Sequence, residues 1–232
     1  MDNAGKQRML LDALDKTVRD QILEECQCCQ YMKGDQIVRQ WDKDHQLYFI
    51  CQGSVRVTLY SSDGKEVSFV DLHEGDNFGE LSAIDNEPRS ATVVALTKST
   101  IKTMPAVDFL NLLDTYPDLN RAFLRQLTGM VRRLCDRIFE YSTLGVSHRI
   151  HAELLRLAKR DLDLDGVARI RKMPTHAQLG SRLSCTRESV SRELKQLEKS
   201  GIIKRKSRKF IIEDLSRLER LIEENSSVPN QC

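Results

Sequence analysis

PTHAQLGSRLSCTRESVSRELKQLEKSGII, residues 174–203, carries two helix starts eleven residues apart. Thr175-His176-Ala177-Gln178 has the Thr-x-x-Gln order in which a hydroxyl and a side-chain amide each cap the other residue's backbone N–H. A helix therefore begins there and runs to about Leu183. Ser184-Cys185-Thr186 is a tight turn, and Thr186 caps a second helix running to about Lys199. Gly201 is the stop, since glycine readily takes the left-handed conformation that ends helices. Two short helices joined by such a turn make a helix-turn-helix.

The second helix has two unlike faces. With Arg187 at zero, Glu188, Ser191 and Arg192 fall within about 140°. Val190, Leu194 and Leu197 lie on the other side and must pack on a core. The polar group occupies the first two turns, where a recognition helix meets base edges. Arginine offers a fork to guanine O6 and N7, and glutamate accepts from cytosine N4. GIIKRKSRKFII, residues 201–212, follows directly and reads as a basic hairpin, the place for a wing that grips phosphates. Double-stranded DNA is the partner this arrangement fits.

The charge distribution agrees. Residues 144–212 hold 17 Lys/Arg against 7 Asp/Glu, or +10, while the rest of the chain holds 19 against 27, or −8. A basic block beside an acidic one marks a specialised C-terminal surface. No apolar run approaches the roughly 18 residues of a membrane span. The start, MDNAGKQRMLLDALDK, lacks the apolar core of a signal peptide. Seven cysteines, an odd number, fit reduced thiols. The expectation is a cytoplasmic protein without membrane contact.

Upstream, residues 7–25 carry Met9, Leu10, Ala13, Leu14, Val18, Ile22 and Leu23 at helical spacing. From Tyr31 to about Thr103 the pattern becomes short runs of β-branched and aromatic residues. Lys33-Gly34-Asp35, Gln52-Gly53, Asp63-Gly64 and Glu74-Gly75-Asp76 punctuate them, which predicts a β-sandwich or barrel with a hairpin turn at SSDGKE. Within it lies NFGELSAIDNEPRSATVVA, residues 77–95. It sets a glutamate and an arginine among buried apolar runs, and desolvating an arginine without a partner is costly. A small anion would complete the arrangement. Arg89 with the hydroxyl of Ser90 suits a phosphate, Gly79 allows close approach of backbone, and Glu80 can accept from a ribose hydroxyl. A cyclic nucleotide has that chemistry.

Residues 117–141 return to helical period, with Pro117 suited to the first turn. Leu119, Phe123, Leu127, Met130, Leu134, Ile138 and Tyr141 step by threes and fours, a coiled-coil-like seam on a helix roughly 37 Å long, read as a dimer contact. Ser142–Gly145 is the expected hinge. A helix over 148–160, a strand over 168–172 and a short helix near 214–224 complete the pattern.

SCTRESVSRELKQLEKSGII resembles the helix-turn-helix of the catabolite activator/fumarate-nitrate regulator family of bacterial transcription factors. FGELSAIDNEPRSATVVA resembles the phosphate-binding cassette of cyclic-nucleotide-binding domains. The resemblance implies an α+β chain. Residues 1–116 would form a cyclic-nucleotide-binding β-roll (a jelly-roll-like double-stranded β-helix) with flanking helices. Residues 117–145 would form a dimerisation helix and hinge, and 146–232 a winged helix-turn-helix. It implies that Glu80 holds the ribose, that Arg89 and Ser90 hold the cyclic phosphate, and that Phe78, Gly79, Leu81 and Ala91 frame them. Arg137 and Ile138 align with the base-reading pair of the catabolite-activator type. Arg187, Glu188 and Arg192 look like base readers, with Ser191 beside them, and Thr175, Thr186, Ser189 and Arg208 look like phosphate contacts. The implied site is a TGTGA-like inverted repeat bound by a homodimer that also meets RNA polymerase. The implied effector is cyclic AMP, with cyclic GMP as second candidate and no metal.

Other signals lead elsewhere. Cys26, Cys28 and Cys29 could serve redox sensing, though they lack the C-x2-C spacing of a cluster. His45 and His73 are single histidines, thin support for haem. DLDLDG, residues 161–166, starts like a calcium loop but has Lys172 where a bidentate glutamate is needed. Cyclic di-GMP sensing and effector-free DNA binding stay open. No P-loop, zinc-protease helix or nucleophile elbow supports an enzyme.

Overall fold

The structure, a computed structural model of the chain, describes residues 9–60, 66–160, 168–170, 173–206 and 209–223. They fall into two compact units divided between Val131 and Arg132.

The N-terminal unit opens with a 3-10 turn, Leu10–Ala13, and helix α1, Lys16–Glu25. The sequence predicts one helix over 7–25. The structure breaks it at Leu14–Asp15, where both residues have extended backbone and Asp15 starts a fresh helix. The separate turn lets the adjacent Leu10 and Leu11 both bury.

Strands β1 (Gln27–Tyr31), β2 (Gln36–Val38), β3 (Leu47–Gln52), β4 (Ser54–Tyr60), β5 (Glu66–His73) and β6 (Asn77–Phe78) follow. Helix α2 (Glu80–Asp85), β7 (Thr92–Ala95), β8 (Ser99–Met104) and helix α3 (Ala106–Thr115) come next. The strands form two antiparallel sheets, ordered β1-β8-β3-β6 and β2-β7-β4-β5. This is the expected β-roll. The predicted hairpin turn at 61–65 lies outside the described residues.

Strand β3 explains why its sequence reads as a continuous apolar run. Tyr48 and Ile50 face a core between the sheets with Val55, Val93 and Ile101. Leu47 and Phe49 face the helices, against Leu11, Phe109, Leu119 and Phe123. A strand covered on both faces need not alternate. Across β4 and β5, Arg56 sits directly opposite Asp71 and grips it with two hydrogen bonds of 2.7 and 2.9 Å.

Helix α4, Pro117–Thr143, is two residues longer than predicted. Its first turns are not a dimer seam. Leu119 and Phe123 are buried in the unit's own core, Phe123 meeting Phe109 edge to face at 5.3 Å. The large apolar residues left outside are Leu124, Val131, Ile138, Phe139 and Tyr141.

The C-terminal unit contains the last turns of α4, then α5 (Val146–Arg160), β9 (Arg169–Ile170), α6 (His176–Leu183) and α7 (Arg187–Lys199). Strands β10 (Ile203–Lys206) and β11 (Lys209–Ile212) and helix α8 (Leu215–Glu223) close it. Helix α5 starts two residues before the predicted 148, which confines the helix break to Leu144–Gly145. Ile150, Leu154, Leu179, Val190, Leu194, Ile203 and Leu218 share one core. The three strands pair antiparallel in the order β10-β11-β9. The DLDLDG segment lies outside the described residues. Among the described residues no helix is long and apolar enough to cross a membrane.

Candidate functional site

Two sites emerge, one in each unit. In the N-terminal unit, β6 ends at Phe78, which is buried and stacked parallel on Tyr48 of β3 at 4.7 Å. Gly79 follows with φ +88, and a Cβ there would come within 2.7 Å of both Arg89 Nη1 and the Gln46 carbonyl. Only glycine supplies the turn and the space together. The approach that Gly79 permits is therefore that of Arg89.

Glu80 and Arg89 are both deeply buried, at 6% and 2% exposure. They are not each other's ion-pair partners. Arg89 Nη2 donates to Asp44 Oδ2 at 2.5 Å and to the Gln46 carbonyl at 2.8 Å, while Nη1 donates to the Gly79 carbonyl at 3.1 Å. The Tyr48 hydroxyl donates to the same Asp44 oxygen at 2.8 Å, and its ring lies under the guanidinium. Burial pushes the Asp44 carboxyl up. Hydrogen bonds from Arg89, Tyr48 and the Gln46 N–H outweigh it and hold that group below the usual carboxylate range. Burial pushes the Glu80 carboxyl up, and a hydrogen bond from its own backbone N–H and the nearby Arg89 charge only partly offset this.

Glu80 Oε2 and Arg89 Nε are buried without a hydrogen-bond partner. Orphan polar atoms at such depth call for an explanation. A hydroxyl on Glu80 and an anion on Arg89 would supply one, so these residues fit the ribose and phosphate of a nucleotide. Ser90, the expected phosphate partner, and Leu81 are exposed, and Ala91 is half-buried. Arg137 and Ile138 lie on α4. Both belong to the C-terminal unit, where Arg137 lies 3.7 Å from Glu153 of α5 and Ile138 is exposed. Arg156 and Arg182 also approach the Glu153 carboxylate.

In the C-terminal unit the caps form as predicted. Thr175 Oγ1 accepts from Gln178 N–H at 3.2 Å while Gln178 Oε1 accepts from Thr175 N–H at 2.9 Å. Thr186 Oγ1 accepts from Ser189 N–H at 3.1 Å. Gly201, at φ +75, follows α7 in the stop position. Val190, Leu194 and Leu197 are buried, so the opposite face of α7 is outward. Arg187, Glu188 and Arg192 stand exposed there, with Thr175 and Thr186 exposed at the two helix starts and Ser189 half-buried. Ser191 is different, because its hydroxyl meets His176 Nδ1 at 2.7 Å and ties α7 to α6. Lys204 and Arg205 of β10 are exposed, and Arg205 lies over the Phe210 ring. Arg208 lies outside the described residues.

Sequence reasoning missed several residues. Asp44 and Tyr48 left no motif. Gly180 left one, a glycine inside a helix. A Cβ there would meet the Cys185 carbonyl at 2.7 Å, so Gly180 lets the turn fold back on α6. His151, Ser147 and Glu193 form a buried link between α5 and α7. Glu193 Oε1 lies 2.7 Å from His151 Nε2, and Glu193 Oε2 accepts from Ser147 Oγ at 2.7 Å.

The expected thiol and haem candidates are ordinary by comparison. Cys26, Cys28 and Cys29 are free, and burial pushes the Cys26 thiol up to about 11, away from reactivity. Among the described residues no group of three His, Cys, Asp or Glu is placed to hold a metal. His45 Nδ1 is engaged with the Ser82 carbonyl at 3.2 Å, and His73 is exposed.

Comparison with known proteins matches a known domain around each site. A cyclic nucleotide-binding domain matches residues 28–116, and a Crp-like helix-turn-helix domain matches residues 148–221. The cAMP-activated global transcriptional regulator CRP of Salmonella typhimurium is 28% identical over 192 residues, covering 82% of this chain and 91% of that protein. A CooA mutant from Carboxydothermus hydrogenoformans superposes with a TM-score of 0.81 at 20% identity, over 94% of this chain and 97% of its own. The c-di-GMP responsive global regulator CLP of Xanthomonas campestris gives 0.71 at 21%, over 85% and 99%. A nucleotide-binding β-roll and a Crp-like helix-turn-helix on one chain, with CRP relatives along most of its length, place this protein in the CRP/FNR family of DNA-binding transcription regulators.

Proposed function

We propose that the chain works as a homodimer on a TGTGA-like inverted repeat under control of a cyclic nucleotide. Residues 1–116 sense, 117–145 join two copies and carry the hinge, and 146–232 read DNA. Cyclic AMP is the first effector and cyclic GMP the second. Glu80 holds the ribose hydroxyl, Arg89 and Ser90 hold the cyclic phosphate, and Phe78, Gly79, Leu81 and Ala91 shape the pocket. Arg187, Glu188 and Arg192 read bases. Thr175, Thr186, Ser189 and Arg208 hold phosphates. The protein acts in the cytoplasm, with RNA polymerase as the partner that converts DNA binding into a change in transcription.

One observation carries this reading: Glu80 and Arg89 are buried side chains, each with an unpartnered polar atom, in a chain whose recognition helix presents its two arginines and a glutamate outward. The curated CRP relatives are named as cAMP-activated. Ligand binding would bias the populations of two arrangements of the DNA-reading domains, the active one setting the recognition helices about 34 Å apart. Cyclic di-GMP is the second reading. The Xanthomonas regulator of the same fold is named for that response, and by resemblance alone Arg137 and Ile138 replace the pair with which the cyclic-AMP type reads its base.

Calorimetric titration of the full chain with cyclic AMP, cyclic GMP and cyclic di-GMP tests the effector, and anisotropy of a labelled palindrome tests the DNA response with and without it. Arg89→Leu is expected to abolish the nucleotide response and leave a folded dimer. A surviving response means the pocket is elsewhere.

A further inference from the structure

The guanidinium of Arg89 is already in use. Of its five N–H donors, both on Nη2 are committed, one to Asp44 and one to the Gln46 carbonyl, and one on Nη1 goes to the Gly79 carbonyl. A guanidinium grips an anion bidentately through one of two forks, Nε with Nη2 or Nη1 with Nη2. Both forks share Nη2. The donors left over, Nε–H and the second Nη1–H, point to different sides and form no fork. As it stands, Arg89 cannot take a phosphate in bidentate fashion.

Of the Nη2 acceptors, the Gln46 carbonyl is fixed by the backbone at the start of β3, whereas Asp44 is a side chain in the loop between β2 and β3, 39% exposed. Asp44 can turn to water; Arg89, 2% exposed, has nowhere to go. The loop is anchored independently, because Trp41 N–H donates to the Arg89 carbonyl and Arg89 N–H donates to the Asp42 carbonyl, each at 2.9 Å. The carboxylate can leave while the loop stays attached.

Building on the effector reading above, we infer that Asp44 is a resident counter-anion, which the ligand's phosphate displaces from Arg89 on binding. Asp44 keeps a buried arginine satisfied in the free protein and raises the nucleotide concentration needed to load the site. The Tyr48 hydroxyl, bound to the same oxygen, steadies Asp44 in that role. Residue 44 thus sets effector affinity although it lies outside the motif.

The test compares wild type, Asp44→Asn and Tyr48→Phe, full chains titrated with cyclic AMP and cyclic GMP by calorimetry. Asn keeps the size of the side chain and removes its charge, so the phosphate no longer competes with a carboxylate. A partly exposed ion pair is worth up to about 1 kcal/mol, so Asp44→Asn is expected to bind about fivefold more tightly. Tyr48→Phe, which leaves the carboxylate but loosens it, is expected to tighten binding by less. It also decides the matter if Asp44→Asn does not fold. Binding only by Asp44→Asn is the strongest support. Equal or weaker binding by both variants, with wild type binding normally, overturns the inference and leaves the effector reading standing; Asp44 then orients Arg89 for the ligand. If no protein binds either nucleotide, and cyclic di-GMP also fails, the effector reading falls and this inference with it.

Discussion

Gly79 shows how much one missing side chain can decide. Its φ of +88 strains any other residue, and the nearest atoms to an added Cβ include a backbone oxygen that cannot swing away. Gly79→Ala is expected to cost about 2 kcal/mol or more in a urea melt, combining left-handed strain with the displaced strand start at Gln46. It should also weaken nucleotide binding, because the added Cβ would press on the Arg89 guanidinium. A melt within experimental error of wild type would mean that the loop relaxes freely. At this scale the sequence was partly legible. Glycine beside a buried glutamate, with an arginine nine residues on, stood out because each residue type is expensive there. The partner of that arginine did not. Asp44 lies 45 positions away in a loop with two acidic residues and two basic ones between 39 and 44, and only folding selects which carboxylate meets the guanidinium.

Among elements, the link between α5 and α7 matters most for reading DNA, since it fixes the recognition helix to its scaffold. A carboxylate only accepts, so the His151 Nε2 facing Glu193 carries the proton, and a neutral ring then leaves Nδ1 an acceptor, buried and unpartnered. Burial lowers the His151 pKa below the ordinary 6.5, and Glu193 opposes that only in part. The sign follows from linkage. The unfolded chain takes up its proton near 6.5 before the folded one does, so acid favours unfolding. Stability of the full chain is expected to fall as pH drops through 6.5 towards the folded pKa, and His151→Gln should flatten that part of the profile in thermal melts at pH 7.5, 6.5 and 5.5. An unchanged slope in the variant would assign the effect elsewhere. The helices themselves were legible because caps are local: Thr175, Thr186 and Gly201 mark ends by chemistry within one turn. The buried triad was not, because a serine, a histidine and a glutamate on two amphipathic helices read as polar-face residues until the helices cross.

For the whole molecule, periodicity found the long helix but could not tell what each stretch packs against. The predicted seam ran from Leu119 to Tyr141, yet Leu119 and Phe123 close the N-terminal unit's own core. Among the outward apolar positions, Leu124, Val131 and Ile138, at 56%, 58% and 65% exposure, are each seven residues from the next, with Phe139 exposed beside Ile138. With the intervening Leu127 and Leu134 and the following Tyr141 they form a strict heptad in steps of three and four, and a seven-residue repeat winds two helices into a left-handed pair. In the dimer we propose, Val131 is central to that stripe. Burying a valine contributes about 1.5–3 kcal/mol in each copy, and a glutamate there would set like charges opposite each other near the two-fold axis. Val131→Glu keeps helix propensity and is therefore expected to yield a folded monomer by light scattering. Its affinity for a duplex with both half-sites should fall to that for a single half-site, because the second recognition helix no longer arrives with the first. A Val131→Glu protein that remains dimeric and still prefers the full palindrome would place the dimer contact outside this stripe.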